Sequence, residues 1–327
     1  MRMFDNYIEY RSEEENDRKI LSLKYSKIKN TLQLTNKVSK NIGHEIFSNN
    51  EDNEVLDVLV DNNNTSVELM VNQSDNNSIT HFDKAVHEVV CTFYNEGQIY
   101  FTTNQIVQKL IGTDTKTKAS KTLLDNINQS ILKMRKTDIT INHSNQFDKW
   151  NKREEYEESD TEISLRYMLN VNVDVTVKMN GNKTTAFKVN EIPPLLEYSN
   201  TYNQLVSLRD EFICTSGYLT HNNETIAIKH YLNNRIQEMK GMRKSRKVSN
   251  SKEISYETMY KALNKPQLMD NNARKQRQRL INHVENILRA YKENGYISDY
   301  NLTHKSKDTT KNGKIVIGKI KDNEGYN

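Results

Sequence analysis

Cysteine is nearly absent from this chain: 327 residues hold only Cys91 and Cys214. That excludes a disulfide scaffold and any Cys-rich zinc site, and both residues read as buried thiols. Proline is almost as scarce, with three residues, two of them adjacent at Pro193 and Pro194. No apolar run reaches the roughly 20 residues that a bilayer span needs, and the mean hydropathy is −0.86. The first residues, MRMFDNYIEYRSEEEND, carry no apolar core of a secretory signal. The expectation is a cytoplasmic protein with no membrane partner. A GxxxxGK[ST] phosphate loop is missing too, which excludes a P-loop ATPase or helicase. His81, His87 and His143 do not form the closely spaced pair that a metal-dependent nickase uses. The acidic clusters Glu13, Glu14, Glu15 and Glu154, Glu155, Glu157, Glu158, Asp160 lie in polar stretches with little glycine, where a solvated loop is the plainer reading than a Mg²⁺ site. The sequence therefore predicts a protein that is not an enzyme, with no catalytic residues, no metal and no cofactor.

What is present is charge, and its position matters more than its total. The net charge is +4, from 47 Lys+Arg against 43 Asp+Glu. Residues 223–327 hold 22 Lys+Arg against 11 Asp+Glu, a net +11, which leaves 25 against 32, a net −7, for the first 222. A positive field concentrated on one region suits a polyanion, because each phosphate neutralised releases counterions from the nucleic acid. No Trp/Phe/Leu insertion face accompanies it, as a peripheral membrane helix would require.

Apolar spacing organises the chain into four stretches. Residues 1–50, with sparse apolar positions such as Ile20, Leu21, Leu23, Leu32 and Leu34, read as an accessory helical or flexible arm. Residues 51–192 read as a first domain with flanking hairpins. Two β-branched runs around an Asn-rich turn come first, at 55–60 and 66–72. A helix from Phe82 to Gly97 follows, then a short strand at Gln98–Phe101. A second helix is capped by Thr103 and closed by Gly112, and a third spans 117–136. Strand runs follow at 138–142, 163–179 and 181–192. Residues 193–222 read as an extended connector opened by Pro193 and Pro194. Residues 223–327 repeat the order: a helix ending at Gly241, a short strand at Ile254, a helix capped by Ser255, a long helix from Ala273 to Asn294, and a hairpin. The fold class is α+β, and helix, short strand, two helices and hairpin, met twice, is the order of tandem winged-helix (helix-turn-helix) domains with a strand-rich connector.

The chemistry concentrates at the start of the long helix. Arg274, Lys275, Gln276, Arg277, Gln278 and Arg279 precede the first residue of the inward stripe, Leu280, and Asn282 and His283 follow. Arg pairs bidentately with guanine, and Gln or Asn with adenine, so this run has the donors and acceptors for reading base edges. Helical spacing predicts that Arg274, Arg277, Gln278 and Asn282 share one face, while Lys275 and Arg279 reach phosphate. Arg243, Lys244, Arg246 and Lys247 in a preceding loop, and Lys305, Lys307, Lys311 and Lys314 in the hairpin, would flank the same side of a winged helix. A solvated basic face is the plain alternative, and the convergence of three basic segments argues against it. In the first domain, Lys116, Lys118 and Lys121 near the third helix form a weaker footprint for a second DNA segment. His230 and His283 read as surface or DNA-facing imidazoles.

On these residues the chain resembles the two-winged-helix replication initiators of plasmids and related mobile elements. The likeness spans residues 80–320: the first unit (FDKAVHEVVCTFYNEGQIYFTTNQIVQKLIG), the bridge AFKVNEIPPLLEYSNTYNQLVSL, and the second unit (ETIAIKHYLNNRIQEMKG, ISYETMYKAL, RKQRQRLINHVENILRAYKENGYI). The resemblance implies sequence-specific binding of double-stranded DNA at origin repeats, help in opening adjacent DNA, recruitment of host helicase or initiator machinery, and a homodimer through the first domain. The residues leave open a transcriptional repressor or regulator of a mobile element with the same modules. The resemblance does not account for residues 1–80.

Overall fold

The computed structural model describes residues 9–15, 18–24, 31–35, 55–60, 65–70, 79–112, 119–142, 163–179, 182–201, 205–241, 253–265, 273–303 and 313–320. Among these the chain is a mixed α+β structure. Strands come first: β1 (Glu9–Glu15), β2 (Arg18–Lys24), β3 (Thr31–Thr35), β4 (Val55–Val60) and β5 (Thr65–Met70). The expected hairpin is present, with β4 antiparallel to β5. The described parts of the first 50 residues are strands and not a helical arm. Their apolar residues alternate, as in Thr31-Leu32-Gln33-Leu34-Thr35, and a period of two fits a pleated strand better than a helix.

Three helices build the first core. α1 (His81–Asn95) starts at Thr80, whose hydroxyl accepts from the Asp83 amide while the Asp83 carboxylate accepts from the Thr80 N–H. This reciprocal pair satisfies two of the donors a helix start leaves open. After β6 (Tyr100–Phe101), α2 (Thr103–Ile111) is capped in the same way by Thr102 with Gln105, one residue before the expected Thr103. Thr103 lies inside the helix and donates to Asn128 Oδ1 at 2.7 Å. α3 (Lys121–Arg135) follows its N-cap Ser120. Val86, Val89 and Phe93 of α1, Ile106 and Leu110 of α2, and Leu123, Ile127, Ile131 and Met134 of α3 close the core together. Lys133 of α3 pairs with Asp83 at 2.6 Å and fixes the third helix to the first.

The strands β7 (Asp138–Asn142), β8 (Ile163–Tyr167), β9 (Val171–Met179) and β10 (Asn182–Val189) come next. They form two sheets with the earlier strands, in the orders β1-β2-β9-β10-β6 and β4-β5-β7-β8. All neighbours are antiparallel except β2 and β9. The expected extended connector contains a helix instead, α4 (Pro194–Thr201). Proline is tolerated at the first helical position, where its missing N–H has no partner to lose, so the Pro pair opens this helix. β11 (Val206–Arg209), paired with β3, and the single turn α5 (Asp210–Ile213) complete the bridge.

The second core contains α6 (Asn223–Gly241), β12 (Glu253–Ser255), α7 (Tyr256–Ala262), α8 (Arg274–Glu293), β13 (Tyr300–Thr303) and β14 (Lys314–Ile317). Its sheet order, β12-β14-β13, has the same arrangement as β6-β10-β9 in the first: the short strand pairs with the second strand of the hairpin. Ser255 stands at the N-cap of α7, although its side chain makes no capping bond. α6 belongs to both cores, since Ile226 packs into the first and Ile228, Leu232 and Ile236 into the second. Buried Lys229 on α6 donates to the carbonyls of Leu110 at 2.5 Å and Ile111 at 3.3 Å, so it closes the C-terminal end of α2.

Candidate nucleic-acid interface

α8 is anchored along one stripe and open along the other. Leu280, Val284, Ile287, Leu288 and Tyr291 are 0–1% exposed, and the Tyr291 hydroxyl donates to Asn233 on α6. This anchoring leaves Arg274, Lys275, Gln276, Gln278, Arg279 and Asn282 exposed at the head of the helix. Gln278 Nε2 donates to Asn282 Oδ1 at 3.0 Å, which orients two amides one turn apart on the outer face. The first turn contains no acidic residue, and its N-cap, Ala273, offers no side-chain bond. Cations beside the positive end of a helix dipole are each unfavourable by about 0.3–1 kcal/mol, so this helix start is poised for an anion.

One residue of the run departs from the expected face. Arg277 is 7% exposed and lies with the inward stripe, away from Arg274 and Gln278. Its position is three residues before Leu280, four before Ile281 and seven before Val284, so the core periodicity extends back to it. Its charge lies near Tyr260 of α7, whose hydroxyl burial pushes up to about 12 while the guanidinium opposes the rise.

Arg279 is exposed but engaged. Glu224, in the first turn of α6, receives Arg279 Nη2 at 3.0 Å, Lys265 Nζ at 3.6 Å and His283 Nε2 at 3.8 Å. Burial lowers the His283 pKa against the pull of Glu224. Of the hairpin lysines, Lys314 is exposed on β14 and pairs with Glu253 of β12 at 2.6 Å. Lys305, Lys307 and Lys311, together with Arg243, Lys244, Arg246 and Lys247, lie outside the described residues, as do Lys116 and Lys118. Lys121 is exposed in the first turn of α3.

The expectation for His230 is corrected by its surroundings. It is 2% exposed, with its Nδ1 at 3.0 Å from Nδ1 of His81 and its Nε2 at 3.1 Å from Glu88. This buried group joins α6 to α1, with both imidazoles turned into the protein interior. The partners are 149 residues apart in the chain, so no local spacing announces them. Cys91 is buried as expected, whereas Cys214 is only half-buried.

A cleft of about 1180 Å³ separates the C-terminal end of α3 from the head of α6 and the turn after α7. Its rim includes Arg135, Lys136, Lys265 and Tyr167, none of them in the expected set. Tyr167 is 50% exposed, the largest such aromatic among the described residues. Sequence reasoning missed this edge; the basic residues Lys133, Arg135 and Lys136 at the end of α3 are a signal that could have pointed to it. Among the described residues no group of His, Cys, Asp and Glu is arranged to hold a metal ion, and no helix is long and apolar enough to cross a membrane.

No protein-family model matches the chain, and no curated protein matches it. A crystal structure of domain 2 and domain 3 of RctB is similar at 12% identity and a TM-score of 0.41, covering 85% of this chain and 98% of that one. At that level of similarity nothing about this chain follows from it.

Proposed function

We propose that the chain is a sequence-specific double-stranded DNA-binding protein that initiates replication of a plasmid or related mobile element. In this reading two winged-helix units engage DNA, and the second makes the principal base contacts. The observation that carries it is the head of α8: exposed Arg274, Lys275, Gln278 and Asn282 on a helix anchored from Leu280 onward, with no acid in its first turn. Such a helix start is stabilised by an external polyanion, and its outer face has the groups that tell guanine and adenine from other bases.

Arg274 takes a guanine edge, and Gln278 with Asn282 takes an adenine edge. Lys275 and Arg279 take phosphates. The hairpin, through Lys305, Lys307, Lys311 and Lys314, and the loop residues Arg243, Lys244, Arg246 and Lys247 flank the same groove. Arg277 leaves the base-reading set, because a buried guanidinium cannot reach a groove; it holds the helix head against α7. Lys116, Lys118 and Lys121 contact a second DNA segment. The repeated sheet and helix order supports two modules acting on adjacent repeats. A homodimer through the first unit and recruitment of the host helicase complete the proposal, which assigns no catalytic step to the chain.

The replication role has its own test. A circular DNA carrying this reading frame and its flanking repeats is expected to replicate autonomously, and to stop when the frame is interrupted. Replication that continues after interruption points to the repressor reading instead.

A further inference from the structure

Among the described residues, Glu224 is a carboxylate on which two cations, Arg279 and Lys265, and the His283 imidazole converge beside the proposed interface. It stands in the first turn of α6, where the helix dipole favours a negative charge. It is 20% exposed at the side chain, so its charge is only partly screened. Arg279 of α8, Lys265 from the turn after α7 and His283 of α8 reach it at 3.0, 3.6 and 3.8 Å. Of these, Arg279 is the outermost, 59% exposed, with its guanidinium bent back to the carboxylate.

We propose that Glu224 is a built-in counter-anion, occupying in the free protein the position that a DNA phosphate takes in the complex, and so an autoinhibitory contact that holds down the affinity of the interface for DNA. This rests on α8 being the DNA-reading helix. A phosphate approaching Arg279 must displace Glu224 and is repelled by it. Any duplex meets that cost, and the contacts of Arg274, Gln278 and Asn282 add to the binding independently of it. The carboxylate therefore lowers the affinity for every duplex by about the same factor and sets how tight the base contacts must be before the chain stays bound.

The test is binding of the full chain to a short labelled duplex of mixed sequence across a salt series. Glu224→Gln keeps the size and hydrogen-bonding reach of the side chain and removes its charge. The expected result is binding about three- to tenfold tighter, with the log–log salt slope steeper by about 0.9, as one more cation becomes available to phosphate. Adding Arg279→Ala is expected to abolish the gain, which a merely structural role for Glu224 would not produce. Glu224→Asp keeps the charge but draws it back by one methylene, and is expected to fall between. Unchanged or weaker binding by both Glu224 variants, while Arg274→Ala with Lys275→Ala still weakens it, would overturn this inference and leave the interface standing. If Arg274→Ala with Lys275→Ala leaves binding unaltered, both fall.

Discussion

Arg274 and Arg277 lie three residues apart on one helix and have opposite surroundings, exposed in one case and 7% exposed in the other. Substitution should separate their roles. Arg274→Ala is expected to weaken DNA binding with little change in melting temperature. Arg277→Ala is expected to lower the melting temperature, at a cost of about 1–3 kcal/mol of stability, because it removes the packing of a buried side chain. Equal effects of both on binding and stability would contradict the assignment. Titration offers a second check at this scale. Burial lowers the His87 pKa from its ordinary 6.5 to about 4, with the nearby Lys84 adding to the drop and the Met168 backbone opposing it. Burial likewise lowers His221 to about 4. The unfolded chain then binds protons near pH 6.5 that the folded chain refuses until about pH 4. Stability is complete above 6.5 and declines as pH falls through this window. His87→Gln should flatten the decline in melting temperature between about pH 7 and 5, and an unaltered decline would contradict it. The outward face of α8 was readable in its residue types. The inward turn of Arg277 was readable only by extending the Leu280, Val284, Ile287 stripe backward past a charged residue. The His81, His230 and Glu88 group was not readable at all, because tertiary packing alone brings α1 and α6 together.

Helices were the elements most plainly written, through their three- and four-residue apolar spacing; their caps were less legible, since Thr102 and not Thr103 caps α2 and Ser255 makes no capping bond. Where the reading failed, two local rules competed. Pro193 and Pro194 suggested an extended segment, yet proline suits a first helical turn, and α4 begins there. In the first 35 residues a charge-rich composition suggested an arm, while alternating leucines gave strands. Gly112 marks the place where the end of α2 meets the bridge. It has φ +80°, and a Cβ there would stand 2.9 Å from Cys214 Cα and 3.1 Å from the Asp210 carbonyl. Backbone atoms cannot yield as a side-chain tip can. Gly112→Ala is therefore expected to cost about 1–3 kcal/mol in chemical denaturation, from the left-handed conformation and the close approach together. Gly97, with φ +82° and nothing within 4 Å, should lose less on the same change. Similar losses at both would mean that the bridge is not packed against α2 as described.

At the scale of the whole molecule, the repeated order of elements was legible because each unit carries its own apolar periodicity. Their joining was not, because α6 has apolar residues on several sides and reads as a poorly amphipathic helix. Only packing reveals that Ile226 serves one core and Ile228 the other, with Lys229 closing α2 between them. The charge split between residues 1–222 and 223–327 is the broadest signal behind the proposed function, and α8 is where that proposal becomes specific. The most direct test is to select a preferred duplex from a random pool with the full chain, then compare wild type with the triple variant Arg274→Ala, Gln278→Ala, Asn282→Ala on that duplex and on mixed sequence over a range of salt. The expected result is a loss of about 1–3 kcal/mol for each bidentate contact on the selected duplex, with the weaker, salt-sensitive binding to mixed sequence largely kept. A triple variant that still prefers the selected duplex as strongly as wild type would contradict the assignment of base reading to α8.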